Sequence, residues 1–135
     1  MEKITADEAA LLIRDGDAIL ISGSGGGHSV PEALLAAVER RFHAQAQPRG
    51  LTSVSVVGVG DRAALGASHL AHEGLLRRAI TSALVDSPGL VRLAAENKLE
   101  AYTLPHGVLS QSTSALAAGR PGLITNTGLH PSVDP

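Results

Sequence analysis

The feature that most limits the fold of this chain is the alternation, along its whole length, of short apolar runs with helical segments. Ala18 to Ile21 is a continuous apolar run, the form of a strand buried on both faces. Leu51 to Val57, Ala79 to Val85 and Leu99 to Leu104 are three further strand candidates. Helical stretches separate them: Ala33 to Phe42, the latter half of Ala63 to Arg78, and Ser87 to about Asn97. A last helix covers Val108 to Ala118 and is closed by Gly119. A first helix precedes the strands. Thr5-Ala6-Asp7-Glu8 fits a capping box, Ala9, Leu12 and Ile13 share one face, and Asp15-Gly16 stops it. This order implies an α/β fold: an open, mostly parallel sheet with helices on its faces, Rossmann-like in kind. No repeat or linker interrupts it, so residues 1–135 read as a single domain.

Composition narrows the function. Only one Tyr, one Phe and no Trp are present, so the core is aliphatic and the composition argues against modes that stack nucleic-acid bases on aromatic rings. Net charge is -2 without a run of either sign, which argues against nucleic acid or an anionic membrane as partner. Cysteine is absent, so neither disulfides nor thiolate catalysis can operate. The acidic, amphipathic start is unlike a secretory signal, and no apolar run is long enough to span a bilayer. A cytoplasmic location is the expectation.

The strongest local signal is Gly23-Ser24-Gly25-Gly26-Gly27, placed between the first strand and a second capping-box pattern, Ser29-Val30-Pro31-Glu32. Glycines admit a ligand close to the backbone, and free N–H groups at a helix start hold an anion or a developing oxyanion. Four glycines in five positions exceed what a plain turn needs. His28 stands where a dinucleotide fingerprint has its third glycine. Gly58-Val59-Gly60-Asp61-Arg62-Ala63 has the G-x-G-x-x-A form, with Asp86 as a ribose candidate, so a nicotinamide-binding module is the rival reading. His69 and His72, three apart, could be half of a metal site. The His-Glu-x-x-His pattern is absent and no third ligand is evident, so hydrogen-bonding helix residues are the favoured reading and no metal is expected. Pro105-His106-Gly107 follows the fourth strand, at the carboxyl edge where α/β sheets place ligands. His106 is there either a polar site residue or the cap of the next helix.

Taken in order, these segments resemble a known family. Asp15 to Gly23, the further glycines and Pro31-Glu32-Ala33-Leu34 are similar to the N-terminal signature of family I coenzyme A transferases. The likeness continues through His69 to Leu75, Glu96 to Tyr102 and Pro105 to Val108. It ends with Ala117 to Thr125 and Val133-Asp134-Pro135. The resemblance is to the acetate, propionate or 3-ketoacid type.

That resemblance implies a ping-pong transfer of CoA between short-chain acids, with an acyl anhydride and then a glutamyl-CoA thioester. Acyl-CoA and a small carboxylate would be the substrates, with no tightly bound cofactor. The family's nucleophilic glutamate sits in a Glu-Asn-Gly motif of the second half. Here the one Glu-Asn pair is Glu96-Asn97, followed by Lys98, and it matches the first half. The chain therefore reads as the non-nucleophilic N-terminal part, with no catalytic residue of its own. A C-terminal half or a beta-type subunit would be its partner, within a homo-oligomer. Gly23, Ser24, Gly25, Gly26, Gly27, His106 and Gly107 are the implied substrate-binding residues. Two of them depart from the family: Ser24 stands where Phe is common, and His106 replaces Gln. A non-catalytic, truncated paralogue that only binds a partner is the other alternative.

Overall fold

The computed structural model describes residues 3–24 and 28–128. Gly25, Gly26 and Gly27, three of the implied loop residues, lie outside them, as do Val133, Asp134 and Pro135. Strands β1 (Ala18–Ile21), β2 (Leu51–Ser55), β3 (Leu76–Thr81) and β4 (Glu100–Thr103) form one sheet in the order β1-β2-β3-β4. Each neighbouring pair is parallel, with Leu20 opposite Val54, Val54 opposite Ile80, and Ile80 opposite Tyr102. Helices α1 (Ala6–Ala10), α2 (Glu32–Gln45), α3 (Pro88–Ala95) and α4 (His106–Ala117) complete it.

A parallel sheet whose strands follow chain order, joined by right-handed crossovers, puts every crossover on the same face. Here α2, a 3-10 turn at Ala67–Leu70 and α3 lie together on that face. The core is built there from Ile21, Leu35, Val38, Leu51, Leu70, Leu76, Ala79, Leu90 and Leu93. The opposite face carries α4 alone among the described helices. Leu20 is 63% exposed on it and Tyr102 49% exposed. The expectation that β1 is buried on both faces is thus corrected: among the described helices only α4 reaches its open face, across a groove, and Ala18 and Leu20 stay exposed.

Local chemistry explains most ends. The Thr5 hydroxyl accepts from the Glu8 N–H at 3.2 Å, and Glu8 accepts the Thr5 N–H at 2.7 Å. This box starts α1, which stops at Ala10 instead of continuing to Ile13. The Arg41 guanidinium, reaching from α2, donates to the carbonyls of Ala10 and Ile13 at 2.7 Å each and satisfies the frayed end. Asn97, with φ 56°, closes α3: the Lys98 N–H returns to the Leu93 carbonyl at 2.9 Å.

Three expectations fail for identifiable reasons. The box at Ser29 does not form, because Ser29 is left-handed with φ 53° and Pro31 occupies the cap position without a side-chain bond. The latter half of Ala63 to Arg78 is not a helix beyond the short 3-10 turn. Gly66 and Gly74, both with positive φ, bracket the segment. β3 begins at Leu76, three residues before the apolar run, because Arg78 sits on the open face. There it pairs with Glu100 at 2.6 Å and lies 5.8 Å from the Tyr102 ring centre. A charged pair within the strand hides its start from a hydrophobicity pattern.

Candidate functional site

All four strands point their carboxyl ends toward one edge, and the loops that leave that edge carry the residues of interest. Gly23 and Ser24 follow β1. The Ser24 N–H donates to the His28 carbonyl at 2.9 Å and its hydroxyl donates to the same oxygen at 3.0 Å, so the loop is pinned at its base. A Cβ at Gly23 would stand 2.9 Å from Val30 and 3.3 Å from Val59, so Gly23 serves close packing at the loop base. Gly107 has open space around it, and His106 is exposed at the first turn of α4. Pro105 occupies the cap position there. Gly23 and Ser24 leave β1 and His106 follows β4, so these described residues share the carboxyl edge but stand at its opposite ends. Three strand spacings of about 4.8 Å separate them by roughly 14 Å, so only an extended ligand could touch both.

Beneath the loops, Gly58 and Gly60 face the backbone of the Asp86 turn. A Cβ at Gly60 would lie 2.0 Å from the Asp86 carbonyl oxygen, and one at Gly58 1.9 Å from its carboxylate. Protein therefore fills the space a pyrophosphate would need. Asp86 is engaged by Arg62, whose Nε donates at 3.2 Å, and no helix begins at Asp61. The G-x-G-x-x-A match is a packing device, and the nicotinamide reading loses its structural basis. A cavity of about 20 Å³ under the strand ends, lined by Ser53, Ser55, Thr81 and Ser87, has room for about one water molecule.

A polar cluster ties α2 to the 67–72 turn. Glu32, first residue of α2, accepts the Gly66 N–H at 2.8 Å and meets His69 Nε2 at 2.6 Å. Glu39, two turns on, meets His69 Nδ1 at 2.6 Å and His72 Nε2 at 2.6 Å. His69 is thus held by a carboxylate at each ring nitrogen. Burial pulls the His69 pKa down, but bonds to Glu32 and Glu39 and their charges outweigh it, so the net shift is upward. Burial likewise pushes Glu39 up, and the bonds and charges of His69 and His72 reverse this to a lowered value. The two shifts agree on a charged, mutually stabilised group. The carboxylate partners were missed from sequence because they stand 30 to 37 residues away from the histidines.

Removing His69 should leave two carboxylates facing each other in a half-buried site. We expect His69→Ala to cost about 2–3 kcal/mol and His72→Ala about 1 kcal/mol or less, by chemical denaturation. Equal costs for the two variants would contradict the central position of His69.

Glu96 stands at the exposed end of α3, paired with Lys98 Nζ at 3.2 Å. Helices run antiparallel to the strands, so this end lies at the amino edge of the sheet, away from the loops just described. The family-type Glu-Asn-Gly nucleophile has no counterpart in it.

No helix among the described residues is long and apolar enough to cross a membrane. A family model for coenzyme A transferase matches residues 3–135. Acetate CoA-transferase YdiF of Escherichia coli strain K12 is 39% identical over 132 residues, 98% of this chain and 25% of that protein. Caffeate CoA-transferase of Acetobacterium woodii is 33% identical over 132 residues, again 98% and 25%. One subunit of a probable succinyl-CoA:3-ketoacid coenzyme A transferase from Bacillus subtilis strain 168 is 30% identical over 133 residues, 96% of this chain and 51% of that one. A crystal structure of acyl-CoA transferase YdiF from Escherichia coli O157:H7, a thioester complex with CoA, superposes with TM-score 0.92. It is 39% identical and is matched over 98% of this chain and 27% of its own. This chain spans about a quarter of the first two relatives' length and about half of the third's. With a family model matching nearly the whole sequence, the chain belongs to the coenzyme A transferase family.

Proposed function

We propose that this chain is the non-nucleophilic N-terminal segment of an acyl-CoA:carboxylate CoA transferase acting on short-chain acids or 3-ketoacids. The observation that carries this reading is the likeness, at 39% identity and TM-score 0.92, to a transferase solved as a thioester with CoA. In the proposed reaction a glutamate outside this chain attacks the acyl-CoA carbonyl. The C–S bond breaks, giving a mixed anhydride and the CoA thiolate. The thiolate then attacks the glutamyl carbonyl, releases the first acid and leaves a glutamyl-CoA thioester. A second carboxylate reverses both steps. Each attack builds an oxyanion, which backbone N–H groups of a glycine loop would stabilise. Gly23, Ser24, Gly25, Gly26 and Gly27 are assigned that part, and His106 with Gly107 a place along the CoA or acid. A cytoplasmic enzyme of short-chain acid or ketone-body metabolism is the setting this chemistry fits.

The course of α4 supports the loop assignment. Its Thr113, Leu116 and Ala117 face Ala18, Leu20 and Val54 across an apolar groove on the open face. The chain is thereby carried from β4 back over to β1, whose outer edge pairs with no described strand. A strand added there would reverse the strand order at β1, and open α/β sheets bind ligands at such reversals. The glycine loop leaves β1 at that point.

The test is a chimera joining this chain to the remaining three quarters of the Escherichia coli relative. It should exchange CoA between acetyl-CoA and a second short-chain acid. Within it, His106→Ala should lower turnover or alter acid preference while His106→Gln is tolerated. A folded chimera without exchange would count against the transferase reading. Unchanged kinetics in both variants would reduce His106 to a helix-start residue.

A further inference from the structure

The fold gathers three metal-ligating side chains that the sequence keeps apart. Glu39 and His43 lie one turn apart on α2, and His72 comes to the same spot from the turn after Ala67–Leu70. One donor atom from each lies within 4.8 Å of the others. His72 Nε2 is 2.6 Å and His43 Nε2 4.0 Å from the same oxygen, Glu39 Oε1. The two imidazoles meet edge to face, with ring centres 4.5 Å apart. We propose that Glu39, His43 and His72 form a binding site for a divalent transition metal, Zn²⁺ in the first instance, with water completing its coordination.

The donor set selects the ion. Two imidazoles and one carboxylate suit Zn²⁺, Ni²⁺ or Cu²⁺, whereas Mg²⁺ and Ca²⁺ take oxygen ligands. A tetrahedral ion with bonds of about 2.1 Å needs donors about 3.4 Å apart. Reaching that spacing takes two small movements. The Glu39–His72 contact opens as the metal replaces the shared proton, and His43 swings inward. His43 is free to do so: its side chain is 60% exposed and makes no hydrogen bond among the described residues. Glu39 is already aimed, because its other oxygen, Oε2, is held by His69 Nδ1 and His69 in turn by Glu32. Ligating carboxylates are themselves hydrogen-bonded by outer partners that keep a metal site in register, the part His69 plays here. The bound ion would clip α2 to the 71–75 loop.

The experiment uses the untagged 135-residue chain, stripped with EDTA and titrated calorimetrically with ZnCl₂. We expect one ion per chain with a Kd below about 100 µM, and a thermal midpoint that rises with Zn²⁺. His43→Ala should weaken binding roughly tenfold or more, while His28→Ala leaves it unchanged. On the unmodified chain, Zn²⁺ should shift the imidazole NMR signals of His43 and His72. This second readout stands even if a variant does not fold. Absence of saturable binding, binding indifferent to His43→Ala, or shifts confined to other histidines would overturn the site.

Discussion

The 135-residue chain alone, incubated with acetyl-CoA and a second short-chain acid, should show no exchange above background. Covalent CoA transfer needs a carboxylate that becomes acylated, and positioned N–H groups cannot replace it. None of the chain's glutamates at described positions is poised for this. Glu32 and Glu39 are held by His69 and His72, Glu8 caps α1, and Glu73, Glu96 and Glu100 are in surface ion pairs. Intact mass after incubation should equal that of the unmodified chain. A CoA adduct that hydroxylamine removes would place the nucleophile in this segment and overturn the assignment. The same preparation should self-associate, since Leu20 at 63% and Leu116 at 62% exposure sit on the uncovered face. A strictly monomeric sedimentation profile at high concentration would show that this face needs no cover.

The largest stability losses should come from two glycines that carry no ligand. Gly66 has φ 65° and ψ -127°, a conformation closed to side chains, and a Cβ there would stand 1.9 Å from the Val59 carbonyl oxygen. Gly60 has no positive φ, yet its Cβ would lie 2.0 Å from the Asp86 carbonyl oxygen. In both cases backbone must move by more than an ångström, across the joint between the β2 and β3 loops. Gly66→Ala and Gly60→Ala should each cost more than about 3 kcal/mol. Gly16 and Gly50 also have positive φ but face open space, so alanine there should cost about 1 kcal/mol. Denaturant midpoints for the four variants decide the matter. If Gly60→Ala behaves like Gly50→Ala, the loop packs less tightly than its geometry requires.

Features that depend on near neighbours were legible along the chain. Apolar runs, turn glycines and the Thr5 capping box act over a few residues, so the β-α order and the parallel sheet could be read, as could the family. Where local signals competed with distant partners, the pattern misled. The apolar pattern puts β3 too late because Arg78 reads as a helix or loop residue, and only its pairing with Glu100 and Tyr102 across the sheet makes it a strand position. Gly58 and Gly60 looked like a phosphate cradle, and only the approach of the Asp86 turn shows what they accommodate. His69 and His72 had no visible partner, because Glu32, Glu39 and His43 lie on the preceding helix about thirty residues earlier. Such clusters exist only once right-handed crossovers have laid α2 and the 67–72 turn on one face of the sheet. Burial, charge pairing and metal-ligand geometry follow from that packing, and no periodicity along the chain encodes them.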